Sequence, residues 1–346
     1  MQVLHYLELA DALDRSGIGT SVKHQRKALQ STGVQVVETP WRRTHGDETA
    51  SVLSGTIEKS DVVHCNTIGP GTLAVAQLSR HTDTPLVLHA HVTAEDFRGS
   101  FRFSNLLSGP LETYLRRLYS LADVVCCPSE YTRRTLASYP VDAPVRTVSN
   151  GVDSESLSGF ESFRSAARER FGLSGMVVFA VGNVFERKGL STFCRLAERN
   201  SFEFVWFGPY ERGPLASRSV RKWTDNPPKN VTFTGWVDDI RGAYGAGDVF
   251  LFPTHVENQG IAVLEAMACG KPVVLRRLPV FEEYYTHGED CLLCETFDEF
   301  RDALVRLRRN PQLRERLGKN ARQTARQHSL DRVGAELVDV YQKITN

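Results

Sequence analysis

The sequence predicts an α/β protein built from two doubly wound, Rossmann-like domains, each containing a parallel β-sheet. Short apolar runs rich in β-branched residues alternate with helical patterns along the chain, which favours parallel sheets with helices on both faces. The length of 346 residues exceeds what one hydrophobic core usually serves, so two domains of similar size are expected. Lys and Arg total 42 against 41 Asp and Glu, so the overall charge gives no general attraction to nucleic acid.

The first half of the chain contains five predicted strands and three predicted helices. The strands are 2–6, 34–38, 61–65, 86–90 and 124–127, and the helices are 22–30, 71–79 and 130–138. Ser129 is a favourable N-cap for the last of these helices.

The second half repeats the pattern with five further strands. These are 176–182, 202–208, 231–235, 248–252 and 272–275. Ligand sites are expected beyond the carboxyl ends of such strands.

A polar, serine-rich segment at 149–159, which contains an Asn-Gly turn, marks the expected domain boundary. It divides the chain into a first domain, 1–155, and a second domain, 156–328. The remaining residues, 329–346, carry an apolar stripe at helical spacing and predict a terminal helix.

Two glutamates separated by seven residues, Glu257 and Glu265, are the most informative motif. Apolar residues at helical spacing place Glu265 one turn into a helix, while Glu257 lies in the preceding loop. The N–H groups near Gly260 and Ile261 then lack intrahelical partners and form an anion site that suits a diphosphate. Taken alone, the two carboxylates would more simply be an exposed acidic pair.

The segment 253–270 resembles the E-x7-E signature of glycosyltransferase family 4, a family of retaining enzymes with the GT-B fold and nucleotide-sugar donors. The resemblance extends over nearly the whole chain. It implies two doubly wound domains with a cleft between them, the first binding the acceptor and the second binding the nucleotide sugar. It further implies that Glu265 binds the donor ribose, that Glu257 contacts the transferred sugar, that Asn258 belongs to the same donor site, and that the terminal helix crosses back to the first domain.

The motif Gly182-Asn183 followed by Arg187-Lys188-Gly189 comes at the end of the first strand of the second domain. It resembles the family motif in which an arginine and a lysine neutralise the diphosphate of the donor. Lys188 matches the lysine, whereas Asn183 stands where the family usually has the arginine, and we expect Arg187 to replace that cation. Outside this context, the Arg-Lys pair would be an ordinary solvated face.

Base recognition is implied for the strand end at 231–238, where Trp236 or Val237 should border the nucleobase. Without the resemblance, this β-branched and aromatic strand would simply be core.

Two histidines, His89 and His91, lie at or just past a predicted strand end and two residues apart, so that they share one side. The resemblance implies that His91 lies near the anomeric carbon, whereas a strand-end histidine is otherwise more often structural. The loop containing Gly17 and Gly19 resembles the family's acceptor-side loop. Its spacing is not G-x-G-x-x-G, which argues against nicotinamide binding.

The leucine-rich stretch 101–121 includes Arg116 and Arg117, and we expect its helix to begin at Pro110. It either lies on an anionic membrane surface or packs on the sheet as an ordinary domain helix. Its neighbourhood resembles the branch of the family that glycosylates diacylglycerol-type lipids.

No metal ion or other cofactor is expected. The seven cysteines include one C-x-x-C, Cys291 and Cys294, with no second pair to complete a zinc site, and we interpret all of them as reduced and structural. No Asp-x-Asp is clearly placed to hold Mg²⁺ against a diphosphate. Without a signal peptide or a long apolar run, the chain is expected to be cytoplasmic, with peripheral contact at the inner face of the membrane as a further expectation.

The sequence therefore predicts a retaining hexosyltransferase that transfers a hexosyl group from a nucleotide diphosphate sugar to a hydroxyl of a lipid or lipid-linked glycan, and we expect the donor to be a UDP-sugar. Two alternatives stay open at this stage. One is a sugar-nucleotide epimerase or phosphorylase of the same fold, and the other is a non-catalytic subunit that binds sugar nucleotides.

Overall fold

Two parallel β-sheets of six strands each form the framework of the chain, as a computed structural model shows. The structure describes residues 1–40, 53–97, 104–139, 141–213 and 216–346. The chain divides into two compact units. The first consists of Met1–Glu95, Leu107–Gly151 and Leu330–Asn346, and the second of Asp96–Leu106 and Val152–Ser329. The prediction of two doubly wound parallel sheets is confirmed.

The first sheet has the strand order β2-β1-β3-β4-β5-β6. Its strands are β1 (Gln2–Leu7), β2 (Gln35–Pro40), β3 (Val62–Cys65), β4 (Leu86–His89), β5 (Val124–Cys127) and β6 (Val145–Thr147). The helices between and after them are Ala10–Leu13, Gly17–Gln30, Pro70–His81, Ala94–Phe97, Ser104–Tyr119, Glu130–Ser138 and Leu330–Thr345, together with helical residues 53–58. β3, β4 and β5 are buried along their whole length because helices cover both faces of the sheet.

The second sheet has the strand order β12-β11-β10-β7-β8-β9. Its strands are β7 (Val177–Val181), β8 (Glu203–Phe207), β9 (Val231–Gly235), β10 (Val249–Phe252), β11 (Val273–Arg276) and β12 (Leu292–Cys294). The α-helices are Arg164–Phe171, Leu190–Glu198, Arg218–Asp225, Arg241–Ala246, Ile261–Ala268, Pro279–Glu282, Phe297–Arg309 and Pro311–Ala325. Shorter 3₁₀ turns occupy Phe160–Phe163, Glu186–Lys188 and Arg326–His328.

The predicted strands agree with the observed ones to within one or two residues, but two edge strands were missed. β6 and β12 contain only three residues each, too few to establish an alternating or apolar pattern. The first long helix also begins earlier than predicted, at Gly17 rather than near residue 22. Ser16 is its N-cap and accepts a hydrogen bond from the backbone N–H of Gly19 at 3.2 Å.

The helix Ser104–Tyr119 contains Pro110 in its interior, so the prediction that it begins at Pro110 was wrong. Leu115, Leu118 and Tyr119 are almost completely buried in the core of the first unit, and Leu111 packs against that core. This burial stabilises the helix despite the hydrogen bond that proline cannot make. These leucines therefore pack on the sheet, whereas Arg116 and Arg117 are exposed. Residues 101–103 lie outside the described residues, and nothing is described of the side chains of residues 104–108.

The terminal helix, Leu330–Thr345, packs against the helix Gly17–Gln30 of the first unit. Val333, Leu337 and Tyr341 on its apolar stripe are completely buried. The two helix backbones come so close that a Cβ on Gly334 would overlap the carbonyl oxygen of Ala28. A glycine is therefore needed at this crossing for steric reasons, even though it disfavours a helix.

All seven cysteines are buried free thiols. Within the described part of the chain, no helix combines the length and the apolar character that a membrane span requires.

Substituting Gly334 by Ala should destabilise the protein, although alanine is the better helix former. The added methyl group must displace the backbone of the neighbouring helix, which we expect to cost about 1–3 kcal/mol. Gly55 is the matched control because it also lies in a helical segment and a Cβ there meets nothing within 4 Å. Gly55→Ala should leave stability unchanged or raise it by about 0.5–1 kcal/mol. Urea unfolding measures both, and equal midpoints for the two variants would contradict the steric argument.

Candidate functional site

In the second sheet, the direction in which successive strands are added changes between β7 and β10. β8 and β9 lie on one side of this point, and β11 and β12 lie on the other. β7 and β10 are adjacent and parallel there, and the connections from them leave to opposite sides. In open parallel sheets, ligands bind in the crevice beyond the carboxyl ends of two such strands. The segments that follow β7 and β10 are the ones that carry Lys188 and Glu257.

The helix Ile261–Ala268 begins directly after the loop that follows β10. Gly260 precedes it in the left-handed conformation, with φ 86°, and no side chain caps this helix end. The N–H groups of Ile261 and Ala262 lie in its first turn, where intrahelical acceptors do not exist. The predicted location of a helix start at Gly260 and Ile261 is therefore confirmed, and it presents N–H groups that suit an anion.

Lys188 and Glu257 form an ion pair beside this helix start. Their side chains are only 17% and 10% exposed, so both charges are largely removed from water. The ammonium group of Lys188 also lies 5.1 Å from the centre of the Phe252 ring.

Backbone contacts between the two loops position this pair. The carbonyl oxygen of Arg187 accepts a hydrogen bond from the backbone N–H of His255 at 2.8 Å and from the hydroxyl of Thr254 at 3.2 Å. Gly189, with φ 83°, comes so close to Pro253 that a Cβ would overlap the proline carbonyl. The turn Glu186–Lys188 is thus fixed to the loop that carries Glu257.

The charge state of Glu257 follows from opposing effects. Burial acts to raise the pKa of Glu257, but the positive charges of Lys188 and Arg187 outweigh it, helped by hydrogen bonds from Lys188 and from the backbone of Asn258. The net pKa is below the ordinary value. Glu257 is therefore a carboxylate at neutral pH, and the positive charges of Arg187 and Lys188 both act on it.

Glu265 behaves differently from Glu257, although both are glutamates of one motif. It lies one turn into the helix, as predicted, and accepts a hydrogen bond from the hydroxyl of Tyr244 at 2.6 Å. Burial raises the pKa of Glu265 to about 7, the hydrogen bond from Tyr244 lowers it, and the nearby Asp153 raises it. Near neutral pH this group can both donate and accept hydrogen bonds. Tyr244 was not predicted as a site residue.

Three glycines line up at the ends of β7, β8 and β9. Gly182 has φ 125° and accepts a hydrogen bond from the indole N–H of Trp206 at 2.8 Å, and a Cβ on Gly208 would overlap its carbonyl oxygen. The backbone N–H of Gly208 donates to the carbonyl of Gly235 at 3.0 Å. These contacts place Asn183 directly after β7, where it is half-buried.

Beyond β9, Trp236 is 41% exposed, which makes it one of the few large apolar side chains in the described residues that is open to solvent. Val237 beside it is half-buried.

In the first unit, His91 lies just past the end of β4 and donates a hydrogen bond to the side-chain oxygen of Asn66 at 3.0 Å. Its ring stacks on that of His89 with centroids 4.3 Å apart. The two histidines therefore do lie on one side of the strand. Burial lowers the pKa of His91 to about 3, so its imidazole is neutral at physiological pH.

Behind His91, three more imidazoles continue inward as a row across the sheet. His64 stacks on His89 at 5.5 Å, and His5 meets His64 at 4.9 Å. The hydroxyl of Tyr341 lies 2.7 Å from His64 Nδ1 and 3.2 Å from His5 Nε2. Burial lowers the pKa of each of the inner histidines. The histidine row was not predicted, because its members come from three strands whose order the sequence does not reveal.

Gly17 and Gly19 lie in the first turn of the helix Gly17–Gln30, so the prediction of a loop at these positions was wrong. A Cβ on Gly19 would overlap the carbonyl oxygen of Leu13, whereas Gly17 has open space around it. Gly19 is thus required by the tight turn from the preceding helix Ala10–Leu13.

Among the residues that the structure describes, no group of three or more His, Cys, Asp or Glu side chains is arranged to hold a metal ion.

Comparison with known proteins identifies the family and relatives of this chain. Residues 175–310 match the family model described as glycosyl transferases group 1, and residues 5–156 match glycosyltransferase family 4. The processive diacylglycerol alpha-glucosyltransferase of Acholeplasma laidlawii is 30% identical over 350 residues, covering 99% of this chain and 98% of the relative. The alpha-galactosylglucosyldiacylglycerol synthase of Streptococcus pneumoniae is 27% identical, covering 82% of this chain and 78% of the relative.

Among solved structures, HepE of Anabaena in complex with UDP and glucose has a TM-score of 0.80 at 18% sequence identity. The match covers 99% of each chain. At this level of identity the similarity is evidence for the fold.

The raised pKa of Glu265 predicts a specific dependence of stability on pH. An unfolded glutamate has a pKa of about 4.3, and the folded value is about 7, so the folded chain binds more protons between these values. Stability contributed by this group is therefore lost as the pH rises from about 4 to about 7. Glu265→Gln removes the titration, so the variant should gain stability relative to the wild type between pH 5 and pH 7.5.

Urea unfolding at several pH values measures this difference, with Glu58→Gln, at an exposed position, as the control. Parallel curves for wild type and Glu265→Gln across this range would refute the raised pKa.

Proposed function

Because the chain belongs to glycosyltransferase family 4 and has the GT-B fold, we propose that it transfers a hexosyl group from a UDP-sugar, with retention at the anomeric carbon, to a hydroxyl of a diacylglycerol-type lipid or a lipid-linked glycan. The chain is a glycosyltransferase by its family and by its relative of 30% identity. The names of two relatives support a glycerolipid acceptor, and the UDP in HepE supports the donor nucleotide.

The observation that carries the donor proposal is the buried ion pair of Lys188 and Glu257 at the start of the helix Ile261–Ala268. A sugar diphosphate needs positive charge for its phosphates and a polar group for its sugar. Lys188 supplies the charge and Glu257 the polar group, within one hydrogen-bonded pair. The N–H groups at Gly260 and Ile261 add to the positive potential.

In this proposal, Glu257 orients the transferred sugar and stabilises positive charge that develops at its anomeric carbon. Lys188 and Arg187 stabilise the negative charge on the departing diphosphate, in surroundings where burial makes such charges effective. The bond from the anomeric carbon to the diphosphate breaks, a bond to the acceptor oxygen forms, and the hydroxyl proton leaves with the nucleotide. We expect these cations and the helix N-terminus to take the place of a divalent metal ion.

The nucleoside would be held by the remaining predicted residues of the second unit. Glu265, with its hydroxyl partner Tyr244, suits the two hydroxyl groups of a ribose, because it can accept and donate hydrogen bonds near neutral pH. The exposed ring of Trp236, with Val237 beside it, offers a surface for the base. Gly182 and Asn183 would border the diphosphate, and Asn258 would lie beside the sugar.

For the acceptor side we propose His91, supported by its position at the end of β4 and by its neutral imidazole. A neutral imidazole can contact a sugar hydroxyl without adding charge near an anomeric carbon that becomes positive. Gly17 and Gly19 would lie at the acceptor side as well.

Kinetics separate the two glutamates. Glu257→Gln should lower kcat by roughly a hundredfold or more with little change in KM for UDP-glucose, because it removes a charge needed mainly in the transition state. Glu265→Ala should raise KM for UDP-glucose about tenfold with a smaller effect on kcat. Radiolabelled transfer to dioleoylglycerol in mixed micelles measures both.

The control for these assays is Glu315→Gln, at an exposed position on the helix Pro311–Ala325. If both active-site variants had wild-type kinetics, the proposed roles would be wrong. If Glu257→Gln raised KM for UDP-glucose and left kcat unchanged, Glu257 would have the donor-binding role that we assign to Glu265.

We also propose peripheral contact of the chain with membranes through the segment 101–121. The support is the exposed pair Arg116 and Arg117, since the described leucines of this helix pack inward. Basic side chains near an anionic membrane surface each add about 1 kcal/mol to binding.

The double variant Arg116→Glu/Arg117→Glu should therefore sediment with phosphatidylglycerol vesicles at least tenfold more weakly than the wild type. The control is Arg308→Glu/Arg309→Glu, an adjacent exposed basic pair in the second unit. Equal sedimentation of the two double variants would exclude the segment as the point of contact.

A further inference from the structure

A cavity of about 250 Å³ lies in the first unit at the carboxyl ends of β1, β3 and β4. In the first sheet, the direction in which successive strands are added changes between the adjacent strands β1 and β3. Ligands of open parallel sheets bind in the crevice at such a point, and the cavity occupies this position. The polar residues that line it include Glu8, Asn66, His89 and His91. Apart from His91, none of these residues was expected to bind anything.

Glu8 is held rigidly in this cavity by the start of the helix Pro70–His81. Its two carboxylate oxygens accept hydrogen bonds from the backbone N–H groups of Gly71 at 3.1 Å and Thr72 at 3.2 Å. Its own N–H donates to the hydroxyl of Thr67 at 3.2 Å. A Cβ on Gly69 would overlap the carboxylate, so the local sequence makes room for it. Each oxygen keeps a second lone pair that can accept another hydrogen bond.

Two buried donors in the same cavity lack partners among the described residues. They are the side-chain nitrogen Nδ2 of Asn66 and the ring nitrogen Nε2 of His89, both in residues that are 1% exposed. His89 Nδ1 accepts a hydrogen bond from the amide of Gln25 at 3.1 Å, so the proton of this neutral ring is on Nε2. Unpaired buried polar groups are unfavourable, and a bound molecule with oxygen atoms would satisfy them.

The rim of the cavity is apolar. Leu9, Leu13, Ile18, Ile68 and Val92 also line it. Leu9 is 60% exposed and has φ 56°, a conformation that is strained for leucine. The accessible wall of the cavity is almost entirely apolar, with the polar groups of Glu8, Asn66 and His89 buried close behind it. Such a cavity fits a molecule with a hydroxyl-bearing head and a hydrocarbon tail.

The charge of the cavity restricts that head group further. Glu8 is the one formally charged side chain among the lining residues, and burial keeps His89 and His91 neutral by lowering their pKa. A phosphate group would meet a carboxylate with no cation to offset it, whereas a neutral hydroxyl can donate to that carboxylate.

We propose that Glu8 is the specificity-determining residue of the acceptor site and selects an uncharged, hydroxyl-bearing glycerolipid over an anionic phospholipid. The acceptor hydroxyl donates to Glu8, the donors of Asn66 and His89 hold neighbouring oxygens, and the rim from Leu9 to Ile18 contacts the first carbons of the acyl chains. The assignment deepens the proposed function and rests on it for the identity of the reaction.

The test uses the full chain and a diacylglycerol that carries a photoreactive diazirine near the glycerol. Irradiation in detergent micelles should label peptides that contain residues 9–18 or 66–92. Unlabelled dioleoylglycerol should compete at least tenfold better than dioleoylphosphatidylglycerol. The two lipids have the same acyl chains, so the comparison isolates the charge of the head group.

Two variants test the role of charge. Glu8→Gln keeps the shape of the side chain and should reduce the preference for dioleoylglycerol to a few-fold. Leu9→Lys, at an exposed position, adds a cation to the rim and should shift the preference in the same direction even if Glu8→Gln disturbs the helix start. Glu58→Gln is the control and should keep the preference of the wild type.

Sugar transfer from UDP-glucose is measured on the same preparations. Labelling of the cavity without transfer would overturn the proposed function and leave the assignment of Glu8 standing. Transfer with labelling elsewhere, or an unchanged lipid preference in both Glu8→Gln and Leu9→Lys, would overturn the assignment of Glu8 and leave the function standing.

Discussion

The contact between the backbone after β7 and the backbone after β10 is the constraint on which the candidate donor site depends. Gly189 lies against the carbonyl of Pro253, and Arg187 accepts hydrogen bonds from the opposite loop. Only a residue without a side chain permits this approach. It brings Lys188 and Glu257 together as a pair, and their charges compensate each other in a place that water scarcely reaches. A buried ion pair adds little net stability, because removing both charges from water is costly. The presence of this pair is therefore better explained by a function than by stability.

The two glutamates of one motif are given different chemistry by their neighbours. Glu257 faces two cations and stays ionised, whereas Glu265 faces a phenol and buried surroundings and has a pKa near neutrality. Their separation by a loop and a helical turn decides which neighbours each one meets. The same logic applies in the first unit, where burial keeps the histidine row neutral and leaves Glu8 as the one formal charge among the described residues that line the cavity. The two units therefore differ in their electrostatic settings. In the second unit, Lys188 and Arg187 lie with the carboxylate of Glu257 at a helix start, whereas the carboxylate of Glu8 lines the cavity of the first unit with no cation among the described lining residues.

Much of the framework could be predicted from the sequence because the central strands are continuous apolar runs, such as Val177–Val181, that few other structures accommodate. The helix that carries Glu265 was equally clear from its periodicity. Tyr244 was missed because the helix Arg241–Ala246 is too short to show a pattern. Glu8 gave no signal either, since a single glutamate after a strand is usually exposed, and only the fold brings Gly71 and Thr72 to it. Pro110 misled the prediction because tertiary packing of Leu115 and Leu118 outweighs one missing hydrogen bond.

The place of the terminal helix in the first unit has a consequence for how the chain acquires its structure during synthesis. Val333, Leu337 and Tyr341 complete a core that also contains Val3 of β1, so this core is filled only when segments far apart in the sequence come together. The second unit, from Val152 to Ser329, has all but a short segment of its residues in one stretch and can mature first. During synthesis the first unit would thus keep an unfilled apolar face until the helix Leu330–Thr345 has emerged from the ribosome.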